Sequence, residues 1–135
     1  MAQHREHESG FALVELLVVM VIVGILAAVA TPAFLGQKRR AHEALVKLDL
    51  KTIAKEVTGF YVSGSGGLVL RSPAPGTWVL KSGVTPVADG RLSPGNSLGN
   101  QTISSDDAYC VAVVSDYPTA SPWRATPNGL QAGNC

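Results

Sequence analysis

Along the first third of the chain, polar positions almost vanish. From Phe11 to Phe34 there are 24 residues and one charge, Glu15. The rest are mostly Val, Leu, Ile and Ala, and they would surround a helix rather than stripe it. At about 1.5 Å per residue the run makes a helix of about 36 Å, enough to cross a hydrocarbon core of about 30 Å. A helix apolar on all sides belongs in a membrane or in an assembly that buries every face. From Leu35 the pattern turns amphipathic. Val46, Leu50, Ile53, Val57 and Phe60 or Tyr61 recur every three or four positions, which is one face of a helix. The other face carries Lys38, Arg39, Arg40, Glu43, Lys47, Asp49, Lys51, Lys55 and Glu56. Glu43–Lys47 is an attractive pair one turn apart and Lys51–Lys55 a repulsive one. Nothing breaks the helix between Gly36 and Gly59, so the pattern predicts one helix from about Phe11 to Tyr61. It would bend near Pro32 and run about 75 Å.

After Tyr61 the period shortens. β-prone runs stand at Gly67–Arg71, Thr77–Lys81, Ala108–Ser115 and Trp123–Thr126. Residues 62–135 also hold ten Gly, seven Pro and ten Ser, which punctuate those runs and predict a small antiparallel sheet with long loops. Ser63–Gly67 reads as a flexible link from helix to sheet. The fold class is therefore α+β, a long N-terminal helix packed on a small sheet.

Composition and charge mostly exclude. At 135 residues there is room for one small domain. A net charge of +1 gives no overall field to steer nucleic acid or an acidic substrate. Two cysteines cannot build a Cys₄ zinc site. Asp106 and Asp107, with Asp89 or Asp116, are candidate calcium ligands, but their spacing is not that of an EF-hand and a solvated turn accounts for them. The N-terminal histidines, in His4-Arg5-Glu6-His7-Glu8, do not form the HExxH pattern. No histidine follows His42, so residues 62–135 hold no Ser-His-Asp or Cys-His arrangement. No catalytic residue, metal or cofactor is expected, and the protein reads as no enzyme.

Glu15 is the anomaly in the apolar run. An ionised carboxylate in hydrocarbon is costly unless paired, which makes it a functional candidate by default. The alternative is that it snorkels to the interface near the helix start, where the dipole favours it. A secretory signal peptide would have a shorter apolar region, of about 7–15 residues. The run therefore stays in the mature protein. Cleavage between Gly10 and Phe11 would place a new α-amino group four residues before Glu15.

The junction Gly10-Phe11-Ala12-Leu13-Val14-Glu15, followed by LLVVMVIVGILAAVATPAF, resembles a type IV prepilin. The family pattern is a short polar leader ending in Gly, then Phe, with Glu fifth and Pro twenty-second in the mature chain. Counted from Phe11, Glu15 is fifth, Gly24 fourteenth and Pro32 twenty-second. Ser9 stands where many prepilins carry Lys or Arg. The resemblance covers residues 9–36 closely and the amphipathic continuation to about Tyr61 in style.

The resemblance implies a leader, 1–10, removed by a membrane prepilin peptidase that then N-methylates Phe11. It implies an N-terminal helix over 11–61 with its transmembrane segment at about 11–34, and a C-terminal globular domain over 62–135. The subunit waits in the cytoplasmic membrane as a single-pass prepilin with that domain outside. An inner-membrane assembly platform then draws it into a helical filament with its own copies and other pilins, an extracellular pilus. Glu15 would pair there with the Phe11 amine of a neighbour, which enforces register because a buried charge without a partner is costly. Gly24 and Pro32 would permit a helix break in the filament. In a lipid-embedded monomer an ordinary kinked helix is the alternative, because freed backbone groups are expensive in lipid.

Lys38, Arg39 and Arg40 follow the span, and the positive-inside rule would put the C-terminal domain in the cytoplasm. The resemblance puts it outside, and Cys110 and Cys135 agree, because an even pair outside the cell reads as a disulfide. Two unrelated thiols are the alternative. The basic helix face admits a DNA-binding reading, but it lacks interleaved aromatic residues and a solvated face accounts for it. Among the aromatic residues, Trp78 and Tyr109 are expected in the core. A type IV pilus subunit is the first functional reading. A pseudopilin of a type II secretion or competence DNA-uptake machine is the second, and a membrane-anchored binding protein that never polymerises the third.

Overall fold

The computed structural model describes residues 13–135. The expected leader, the Gly10–Phe11 junction expected to be cut and Phe11, expected to be methylated, lie outside the described residues. One helix, α1, spans Leu13–Ser63. It continues through Gly24 and Pro32 in the single chain, whereas the break expected of these residues belongs to the filament. Beside Pro32, the Thr31 hydroxyl donates to the Ala27 carbonyl at 2.8 Å. A helix keeps its ladder where no other group stands ready to satisfy a freed backbone. At the far end the N–H of Gly64 donates to the Phe60 carbonyl at 2.7 Å. A Cβ at Gly64 would lie 2.8 Å from that same oxygen, so the helix stops at a position where only glycine fits.

The chain divides into two compact units between Gly36 and Gln37. In the first, the apolar residues from Leu13 to Leu35 are exposed all round the helix. In the second, Val46, Leu50, Ile53 and Val57 are 0% exposed, and Phe60 and Tyr61 pack at the edge of the same core. That stripe is the one read from periodicity.

Seven strands follow, in two antiparallel sheets rather than the one small sheet expected. β1 (Leu68–Arg71), β2 (Thr77–Ser82) and β3 (Thr85–Arg91) form one, in that order. β4 (Asn96–Ile103), β5 (Tyr109–Ser115), β6 (Trp123–Thr126) and β7 (Gly129–Ala132) form the other. The edges of β1 and β4 adjoin, and Gln101 Nε2 donates to the Leu70 carbonyl across the seam at 2.7 Å. Leu68, Leu70, Trp78, Leu80, Tyr109, Val111 and Val113 point from the strands into the core. Trp78 and Tyr109 are thus core residues, as expected.

Two of the connections are tight hairpin turns. β2 and β3 join through Gly83–Val84, and β6 and β7 through Pro127–Asn128. Gly83 has φ +60°, a left-handed conformation that suits a two-residue hairpin turn led by glycine. β3, β4 and β7 escape a sequence reading because they are rich in Gly, Pro, Asn and Gln. Pairing with β2, β5 and β6 makes them strands. Pro86 is tolerated because β3 is an edge strand.

Candidate functional site

The first unit offers one surface, the outside of α1 from Leu13 to Gly36. Its apolar side chains are about half exposed or more, with Glu15 in the first turn. A helix with no covered face needs lipid or other apolar chains around it. Among the described residues it is the one helix long and apolar enough to cross a membrane. A Cβ at Gly24 would meet nothing within 4 Å, so packing inside this chain does not demand a glycine there. Any need for Gly24 arises from what surrounds the helix.

The second unit is anchored to its part of α1 by a residue the sequence reading put on the polar face. Asp49 is 6% exposed. Its carboxylate accepts from the Ser93 N–H at 2.9 Å, the Ser93 hydroxyl at 2.9 Å and the Asn96 amide at 2.7 Å. It thereby caps the turn between β3 and β4 and satisfies donors that would otherwise be buried without partners. A signal was available: Asp49 sits three residues after Val46 and four before Ile53, on the buried stripe itself.

Other pairings also differ from the helix-face reading. Glu43 faces Arg39 at 3.9 Å rather than Lys47. Lys47 instead stands 3.8 Å from the centroid of the Trp123 ring, a cation–π contact. His42 stacks on Tyr117 with ring centroids 4.5 Å apart. Burial in the core pushes the Tyr109 phenol above its ordinary value.

Cys110 and Cys135 form a disulfide with their Cα atoms 5.8 Å apart. It ties the start of β5 to the last residue. The tail has further holds. β7 pairs with β6, and Arg124 forks onto Gln131 Oε1 at 3.2 and 3.0 Å while donating to the Asn134 carbonyl at 2.7 Å. Asp107 accepts from Ser105 in a turn between β4 and β5. Among the described residues no group of three or more His, Cys, Asp or Glu side chains is placed to hold a metal ion.

A family model described as the prokaryotic N-terminal methylation motif matches residues 5–31. The chain is 44% identical over 50 residues to the type II secretion system core protein G of Pseudomonas aeruginosa, covering 37% of this chain and 35% of that protein. It is 38% identical over 60 residues to the type IV major pilin protein PilA of Myxococcus xanthus, covering 44% of this chain and 27% of that one. It is 30% identical over 109 residues to a fimbrial protein of Neisseria meningitidis, covering 72% and 64%. The chain thus spans less than two thirds of the length of each of these relatives. No solved structure matches.

Proposed function

We propose that this chain, which belongs to the type IV pilin and pseudopilin family, is a structural subunit of a type IV pilus. One coincidence carries the reading. The methylation motif over residues 5–31 overlaps the part of α1 whose apolar side chains are exposed among the described residues. Lipid covers that surface in the waiting subunit, and other copies cover it in the filament.

The finer steps follow from that reading. A prepilin peptidase cuts between Gly10 and Phe11 and methylates the Phe11 amine. The second unit lies outside the cytoplasmic membrane, where the disulfide between Cys110 and Cys135 is at home. An inner-membrane platform passes the subunit into a helical homopolymer. There the Glu15 carboxylate meets the Phe11 amine of a neighbour, in surroundings otherwise made of Val, Leu and Ile. The segment between Gly24 and Pro32 loosens once neighbouring helices can satisfy its backbone. The role is structural, without catalysis, and a nucleic-acid partner has only the basic helix face in its favour.

The second reading, a pseudopilin of a secretion or uptake machine, is favoured by the 44% identity to a type II secretion core protein. Shearing decides between them. A pilus subunit leaves the cell in long sheared filaments whose N-terminal residue is methylated Phe11. A pseudopilin stays with the cell, and that result would overturn the pilus reading.

A further inference from the structure

The chain has four asparagines, Asn96, Asn100, Asn128 and Asn134, and the fold leaves them in unequal positions. An asparagine side chain ends in an electrophile, its amide carbon. The peptide nitrogen of the next residue can reach that carbon and close a small ring. Closure needs an uncrowded nitrogen and a backbone free to turn. A side chain on the following residue crowds the nitrogen, and glycine has none.

Asn128 is the asparagine that glycine follows. It lies in the tight turn between β6 and β7, and both Asn128 and Gly129 are exposed. Gly129 has φ +103°, and a Cβ built on it would meet nothing within 4 Å. The Thr126 hydroxyl donates to the Gly129 carbonyl at 3.2 Å, while no hydrogen bond among the described residues holds the Asn128 amide. A hairpin tip between two four-residue strands is also where local opening costs least.

The other three are held or crowded. Asn96 is 5% exposed, its amide donates to the Asp49 carboxylate at 2.7 Å, and Ser97 follows it. Asn100 lies within β4 and is followed by Gln101, whose own amide is fixed on the Leu70 carbonyl. Asn134 is followed by Cys135, which the disulfide anchors, and its carbonyl accepts from Arg124.

We propose that Asn128 is a site of spontaneous deamidation. The Gly129 nitrogen, its proton lost to water, attacks the Asn128 amide carbon. A carbon–nitrogen bond forms there, the bond to the side-chain nitrogen breaks, and ammonia leaves with the proton. Water then opens the cyclic imide at either carbonyl. One opening gives aspartate. The other gives isoaspartate, whose main chain runs through the former side chain. One asparagine and one water become one acid and one ammonia, with no oxidation or reduction. Either product adds a negative charge to the hairpin that lines a groove with Lys51 and Lys55, where no acidic residue stands now. Isoaspartate also adds a backbone atom to the turn that sets the pairing of Thr126 with Gly129.

The test incubates the full chain in detergent micelles, in mildly alkaline buffer made with heavy-oxygen water. Peptide mapping by mass spectrometry follows all four asparagines. The expected result is heavy-oxygen acid at position 128, part of it isoaspartate, forming at least several-fold faster than at positions 96, 100 and 134. Gly129→Ala should slow it several-fold. Because alanine is strained at that φ, Asn128→Gln serves as the second variant, and its longer side chain should remove the signal with the hairpin intact. Unfolding in urea should speed Asn96 far more than Asn128, since only Asn96 loses a buried partner. Conversion of Asn96 in the folded chain as fast as Asn128 would overturn the proposal. So would an Asn128 that reacts only after unfolding, or acid at position 128 without isoaspartate.

Discussion

The two units share one helix and use it in opposite ways. Up to Gly36, α1 is apolar on every side and none of its large side chains is buried in the chain. From Gln37, the same helix is polar on most of its circumference, and four aliphatic residues on one stripe are wholly buried. The lesson is that hydrophobicity alone does not locate the core. Among the described residues, the more apolar half buries no large side chain. The less apolar half, placed against two sheets, holds the fold together. On the filament reading proposed above, lipid or other copies supply the cover that the first half lacks.

The sharpest test of this contrast makes one substitution in each half. Leu50→Ala removes a fully buried side chain and is expected to destabilise the second unit by about 2–5 kcal/mol. Leu17→Ala, on the exposed surface, should leave the same unfolding transition where it was. Denaturant unfolding of the full chain in detergent micelles reads both, and equal losses would break the comparison.

The disulfide comes next. Replacing Cys110 and Cys135 with Ala should cost about 3 kcal/mol by the loop-entropy argument. The tail should nevertheless stay folded, because β7 and the Arg124 fork hold it independently. Hydrogen exchange over residues 123–135 checks this, and wholesale loss of protection there would show that the bond is the main hold.

Asp49→Ala leaves the Ser93 N–H and the Asn96 amide without their acceptor, at about 1–3 kcal/mol. Asp49→Asn should recover part of the loss, since its carbonyl can still accept. A neutral effect of Asp49→Ala would mean that the carboxylate does not hold the turn between β3 and β4.

The smallest effect is alkaline. Burial raises the Tyr109 phenol above its ordinary 10.0, so the folded state keeps a proton that the unfolded state gives up. The contribution to stability is whole below that value and is lost as pH rises through the raised one. Midpoints measured on either side of pH 10 should fall less steeply in Tyr109→Phe than in the unsubstituted protein.

Much of this fold is legible in the residues alone. The apolar run, the stripe at Val46, Leu50, Ile53 and Val57, and the strand around Val111 all announce themselves, because burial imposes a period on the residues it covers. β3 and β4 do not, since Pro86, Gly90, Gly99 and Asn100 read as turn formers and become strand only beside a partner. Asp49 is misplaced for a related reason. Residue type puts it on the polar face, whereas its spacing puts it on the buried one, and only the donors from the turn at Ser93 and Asn96 reconcile the two. The residues of the apolar half are legible as a motif and not as core contacts, because burial within this chain imposes no period on them.

The central claim is that the exposed half of α1 exists to be covered by other copies, with Glu15 setting their register. Glu15→Val keeps that half apolar and makes membrane insertion easier. It also removes the group that a neighbour's Phe11 amine would meet, leaving that cation buried alone at about 3–5 kcal/mol per subunit. The decisive measurement is the ratio of sheared to membrane-bound subunit in cells carrying Glu15→Val and in cells carrying the unsubstituted chain. The account predicts unchanged membrane levels and a sheared fraction reduced to a small remnant. Wild-type amounts of sheared filament from Glu15→Val cells would contradict it.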